Sequence, residues 1–271
     1  MKNSKPSSHN PIPSFLETLA ETAHATVDSG YYNVEETVSD EYARYSLTQS
    51  IRRCSKNPVI AEVKFASPSQ DVIRSNGDLA KIAEAMTKGG AVGLSVLTEP
   101  KHFGGSLQNL VKVRNSTSLP ILMKDIVVSY AQIDAAYLLG ADAVLLINSL
   151  FEAGRCEMGL NEAVIYAHLK GLQVLLEVHS REEFNRAVET DADMIGINNR
   201  NLATLSIDLS TTVKILENTP HDGKIVVSES GIRSAEDLRL LKQAGADAYL
   251  VGTSVMRSGD IESKVRELVE A

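Results

Sequence analysis

The stretch "LGADAVLLI" (139–147) changes its period in mid-course. It closes "SYAQIDAAYLLGA" (129–141), where apolar residues recur at helical spacing, and enters an unbroken apolar run of strand length. The same junction returns as "GGAVGLSVL" (89–97), "TDADMIGIN" (190–198) and "AGADAYLVG" (244–252). Each copy closes a helix and opens a strand, and neighbouring copies lie about 50 residues apart. That interval holds two βα units, so four copies are what a quarter-barrel duplication would leave. An open doubly wound sheet would not require such regularity.

The runs between the copies complete the count. Strands are expected at "PVIAEV" (58–63), "GLSVLT" (93–98), "PILMKD" (120–125), "AVLLIN" (143–148), "VLLEV" (174–178), "MIGINN" (194–199), "KIVVSES" (224–230) and "AYLVGTS" (248–254). Periodic segments such as "LAKIAEAMTKGG", "LNEAVIYAHLKG", "SREEFNRAVET" and "SAEDLRLLKQAGA" separate them. Near-continuous apolar strands alternating with helices mean a parallel sheet covered on its outer face. The expected fold is an α/β (β/α)8 TIM barrel over residues 58–271. Residues 1–57 form an N-terminal helical extension, with Ser14 and Glu17 of "SFLE" as a capping box. A second helix is expected from about Asp40 to Cys54, carrying Ala43, Leu47, Ile51 and Cys54 on one face. The extension reads as a packing appendage.

The 271 residues are 43% hydrophobic and carry a net charge of −8. An acidic chain argues against nucleic-acid binding, which needs a basic face, but leaves room for a small anionic ligand. Cys54 and Cys156 lack metal-ligand spacing and suggest no disulfide framework. The amino terminus lacks the apolar core of a signal peptide, and no run suits a membrane span. A cytoplasmic protein is expected, without membrane or nucleic-acid partners.

In such a barrel the site lies at the C-terminal strand ends, and polar residues gather there. Glu62 and Lys64 end the first strand and, two apart, share one face. Lys124 and Asp125 end the third, Glu177 the fifth, Asn198 and Arg200 the sixth, and Ser228, Glu229 and Ser230 the seventh. Buried charges need good partners, so lysines and carboxylates converging on one mouth point to chemistry. The ends of the seventh and eighth strands, "SESGI" (228–232) and "VGTSVM" (251–256), offer small residues whose backbone N–H groups suit a phosphate. The loop "FASPSQDVIRSNGD" (65–78) is long enough to be a mobile lid. No His/Cys/carboxylate cluster suggests a metal. From the residues alone, this is a barrel enzyme acting on a phosphorylated anion with lysines and glutamates.

Seven ordered motifs carry a resemblance: "EVKFASPS", "LTEPKHFGGS", "PILMKD", "LLEV", "IGINNRNL", "VSESGI" and "LVGTSVM". Together they resemble the indole-3-glycerol-phosphate synthase family of tryptophan biosynthesis, in which a helical extension also precedes the barrel. The resemblance implies a decarboxylating and dehydrating carbon-carbon lyase that needs no cofactor or metal. It closes the indole ring of 1-(2-carboxyphenylamino)-1-deoxyribulose 5-phosphate. Position by position, it implies that Lys124 is the general acid, that Lys64 pairs with anionic substrate groups or serves the dehydration, and that Glu177 acts as base or stabilises positive charge. Glu62 would orient Lys64; Asn198, Arg200 and Glu229 would position substrate. Ser230, Gly231, Gly252, Thr253 and Ser254 would hold the phosphate, Ser67 would line the site, and Phe103 would pack on the aromatic ring. A monomer or weak oligomer is implied, with other tryptophan-pathway enzymes as candidate partners.

Phe65 stands where the family commonly has a basic residue, Gln70 and Asp71 where it has lysine and glycine, and Ile126 where phenylalanine is frequent. These touch the lid and the aromatic wall and leave every residue assigned to chemistry in place. Two rival readings remain at this stage. Phosphoribosylanthranilate isomerase would need a cysteine base at the end of the first strand, where this chain has Glu62-Val63-Lys64. A catalytically silent barrel serving as a binding subunit would have no need of the intact lysines and glutamates.

Overall fold

A computed structural model of the chain describes residues 14–35, 44–66, 73, 77–202, 204–221 and 223–271. In chain order the elements are α1 (Ser14–Asp28), α2 (Leu47–Arg53), β1 (Val59–Val63), α3 (Leu79–Lys88), β2 (Gly93–Leu97), α4 (Leu107–Arg114), β3 (Ile121–Lys124), α5 (Tyr130–Leu138), β4 (Ala143–Ile147) and α6 (Asn148–Glu152). There follow α7 (Leu160–Leu169), β5 (Gln173–Val178), α8 (Arg181–Val188), β6 (Met194–Asn198), α9 (Ser210–Leu216), β7 (Ile225–Glu229), α10 (Ala235–Ala244), β8 (Ala248–Val251), α11 (Thr253–Arg257) and α12 (Ile261–Val269). The strands pair in parallel in sequence order, and β1 returns to β8 through Val59↔Tyr249 and Ala61↔Val251. The sheet is a closed barrel.

Strand parity divides the core in two. Ile60, Leu122, Leu145, Leu175, Val227 and Leu250 belong to one buried cluster inside the barrel. Their neighbours Ala61, Met123, Val144, Leu176, Val226 and Val251 belong to another, shared with the outer helices. Near-continuous apolar strands are therefore needed, because both faces are buried.

The recurring "GAD"-type junction has a physical cause. Asp142, just before β4, accepts a hydrogen bond from the backbone N–H of Ile121, the first residue of β3 (2.8 Å). Asp193 before β6 does the same for Val174 of β5 (2.8 Å), and Asp247 before β8 for Val226 of β7 (2.8 Å). Each carboxylate satisfies an N–H at the start of the preceding odd strand and pins two strands in register. The first copy has Val92 instead and keeps only the backbone bond, from Val92 N–H to Val59 O (2.9 Å).

The extension is used at both ends of the barrel. α2 closes the N-terminal end: Leu47 and Ile51 join the inner cluster, and Thr48 bonds the Gln173 side chain at the start of β5. Gly93 is needed there, because a Cβ would lie 2.5 Å from Leu47 Cδ1. This helix is shorter than expected. Ser46 caps it by accepting from Gln49 N–H, and Arg44 and Tyr45 are drawn out of helical register by bonds to Ala141 O and Asp142. Cys54 is an extended C-cap, and Asp40 and Ala43 lie outside the described residues. At the other end, α1 buries Leu16, Leu19, Ala20 and Ala23, and Glu17 pairs with Arg155. Ser14 is already helical, and its side chain, the expected cap, is outside the described set. Among the described residues no helix is long and apolar enough to cross a membrane.

Candidate active site

A cavity of about 430 Å³ opens at the C-terminal ends of the strands. Its wall includes Glu62, Lys64, Phe103, Lys124, Glu177, Asn198, Arg200, Glu229, Ser230, Gly231, Gly252, Thr253 and Ser254, so the described residues given a catalytic or substrate-binding role from the sequence meet there. Ser67, Gln70 and Asp71, with most of the expected lid, lie outside the described residues. Ile126 is on the wall.

Parity delivers the charged groups. Lys124 stands between two carboxylates from the far side of the barrel, 2.6 Å from Glu229 Oε2 and 3.3 Å from Glu177 Oε2. Asn198, at the same level of β6, donates to Glu177 Oε1 at 3.0 Å. On β1, Lys64 Nζ lies 2.7 Å from Glu62 Oε1. Burial works against the Lys124 ammonium, but the charges of Glu229, Glu177 and Glu62 outweigh it and hold lysine above its ordinary value. Burial likewise opposes ionisation of Glu177, yet Lys124, His179 and Asn198 keep it well below the usual carboxylate range. Glu229 goes the other way. Burial, opposed by Lys124 and reinforced by the Glu177 charge, pushes it up to about 7. Its Oε1 is buried with no hydrogen-bond partner among the described residues. The two carboxylates that flank Lys124 are thus pushed in opposite directions, Glu177 down and Glu229 up.

The loops after β7 and β8 form the opposite wall. Ser230 and Gly231 both adopt positive φ (65° and 91°). Asn199 braces that turn by donating to Glu229 O (2.9 Å) and Ser230 O (3.2 Å), and a Cβ on Gly231 would lie 2.5 Å from Ile207 Cγ2. Gly252 faces β1, where a Cβ would come within 2.5 Å of Glu62 Oε1. The Ser254 hydroxyl ties the two loops together by donating to Ile232 O (2.9 Å).

Some placements correct the sequence expectations. Ser228 does not face the mouth: with the opposite parity to Glu229, it is fully buried toward α9, bonded to Asn199 and Thr212. The Asp125 carboxylate accepts from Tyr32, Thr98 and Gln132, and burial raises it to about 6 against those hydrogen bonds. Phe15 and Leu19 of α1, in the extension read as a packing appendage, line the cavity. Arg233 and Arg257 also line it without any sequence expectation. Glu99 organises the loop bearing Phe103, accepting from the N–H groups of Lys101, His102 and Phe103 at 2.8, 2.7 and 2.9 Å.

Fold and site define a class: a (β/α)8-barrel enzyme with its ionisable groups collected at the C-terminal mouth. A family model described as indole-3-glycerol phosphate synthase matches residues 16–268. An indole-3-glycerol phosphate synthase from Methanocaldococcus jannaschii is 45% identical over 227 residues, covering 82% of each chain. One from Acetivibrio thermocellus is 44% identical over 209 residues, 77% of this chain and 78% of its own. Among solved structures, thiamine phosphate pyrophosphorylase from Pyrococcus furiosus superimposes with a TM-score of 0.58 at 20% identity. It covers 82% of this chain and 96% of its own length, and supports the barrel fold alone. The chain belongs to the indole-3-glycerol phosphate synthase family.

Proposed function

We propose that the chain closes the indole ring of 1-(2-carboxyphenylamino)-1-deoxyribulose 5-phosphate, as a lyase releasing carbon dioxide and water. The observation that carries this is Lys124, an ammonium held between Glu177 and Glu229 and facing the Glu62–Lys64 pair. The substrate phosphate sits on the backbone N–H groups of Ser230, Gly231, Gly252, Thr253 and Ser254, near Arg233 and Arg257. Phe103, with Phe15 and Leu19, holds the aromatic ring; Asn198 and Arg200 orient the chain between. Within the N-terminal extension of residues 1–57, α1 thereby helps complete the mouth of the barrel at 58–271.

The ring carbon bearing the carboxylate attacks the ketone carbon. Lys124 stabilises the developing alkoxide and gives it a proton. Carbon dioxide leaves with its bonding electrons returned to the ring system. The new hydroxyl then departs as water with a proton from Lys64, while Glu177 takes a proton from the adjacent methylene carbon. Glu62 orients Lys64 and Glu229 orients Lys124. The isomerase reading finds no support in Cys54, which is the C-cap of α2 at the opposite end of the barrel.

The test is to supply that substrate and follow indole absorbance and fluorescence. The chain has no tryptophan, so the background is low. Indole should appear in proportion to enzyme, and none from the folded protein would overturn the reading. A second prediction concerns Gly196, where a Cβ would lie 2.0 Å from Glu229 Oε1. Gly196→Ala is expected to displace Glu229 and lower kcat by about 10²-fold. Steady-state kinetics beside circular dichroism checks this, and an unchanged kcat would contradict the role given to Glu229.

A further inference from the structure

His179 is partly buried beside Glu177 and does not line the cavity. It follows Glu177 by two residues, past the end of β5, and its ring lies between two carboxylates. Both are charge contacts rather than hydrogen bonds: Nε2 is 3.4 Å from Glu177 Oε1, and Nδ1 is 3.8 Å from Glu183 Oε2 on α8. The backbone is clamped as well: His179 N–H donates to Glu183 Oε2 (2.7 Å), and Glu183 N–H donates to the Ser180 cap (3.1 Å).

The charges around Lys124 give this ring a task. Glu177 and Glu229 share one ammonium, and Glu229 is the nearer by 2.6 Å against 3.3 Å. A neutral residue at 179 would leave Glu177 with only the longer lysine contact and the Asn198 amide. We propose that His179 is a positioning residue for the reaction: its imidazolium, bridging Glu177 and Glu183, holds the Glu177 carboxylate in place and ionised while Glu229 draws on Lys124. The role rests on the ring-closing reading above.

Burial disfavours the imidazolium, but contact with Glu177 and Glu183 outweighs that and pushes His179 up to about 9. Of the other charged groups on the helices packed against β5, Arg181 on α8 donates to Lys214 O and Glu182 is exposed. On α6 Glu152 pairs with Arg186 of α8. On α7 Glu162 is bonded by Tyr130, and His168 pairs with Asp193.

His179→Gln tests the role through the pH profile. Because Glu177 loses a cationic neighbour, kcat should fall about tenfold with KM within about threefold. The native enzyme should lose activity as His179 deprotonates near pH 9, a transition absent from His179→Gln. Normal native turnover with an unchanged variant profile would overturn this role alone. No turnover by the native chain would overturn the ring-closing reading and this role with it. Should His179→Gln fail to fold, imidazole NMR of the resting protein decides. The His179 titration should lie well above that of ordinary histidine and fall in Glu177→Gln; an ordinary titration insensitive to Glu177→Gln contradicts the bridge.

Discussion

Lys124→Met is expected to lower turnover by at least about 10³-fold while leaving phosphate-dependent binding largely intact. Methionine keeps much of the apolar stem and removes the ammonium. The proton donor and the charge beside the developing alkoxide are then lost together. Glu177 and Glu229 also lose the cation between them, which raises the cost of keeping both ionised. The loops proposed for phosphate are built independently of Lys124. The Ser230–Gly231 turn is braced by Asn199, and the loops after β7 and β8 are joined by Ser254. Calorimetric binding of a phosphorylated analogue and its dephosphorylated counterpart should therefore differ as they do in the native chain. A near-normal rate for Lys124→Met would remove it as the acid.

Asp142→Ala should be the costliest of the junction substitutions, destabilising the chain by about 3–5 kcal/mol. Asp142 is buried and accepts from Arg114 Nη1 (2.9 Å), Ile121 N–H (2.8 Å) and Tyr45 N–H (2.7 Å). Its removal takes the carboxylate from a buried guanidinium, which keeps carbonyl partners, frees the first N–H of β3 and removes one tie to the extension. Asp193, a quarter of whose side chain is exposed, bonds Val174 N–H and His168. Asp193→Ala should cost about 1–2 kcal/mol, because water reaches the groups left behind. Urea unfolding of both variants checks the order. Equal losses would contradict the strand-pinning account of Asp142.

The barrel was legible because its two constraints are periodic. Both faces of the sheet are buried, which makes the strands apolar runs, and the junction aspartates recur because β3, β5 and β7 each present an N–H near their start for the carboxylate to accept. Parity also carried Glu62, Lys64, Lys124, Glu177 and Glu229 to one cavity. Adjacency in sequence was a poorer guide, since Ser228 and Glu229 point to opposite sides of β7. His179 has the parity of Glu177, yet the apolar run ends at Val178, so its place between two carboxylates depends on where α8 begins. Phe15 and Leu19 reach the mouth through packing of α1, a long-range contact that leaves no local pattern.

On this account the mouth performs a decarboxylating ring closure rather than an isomerisation. The most direct measurement follows product formation from substrate labelled at the aromatic carboxylate. One labelled carbon dioxide should be released for each indole formed, with no conversion of phosphoribosylanthranilate offered separately. Retention of the label with a product of unchanged mass, or turnover of phosphoribosylanthranilate, would contradict it.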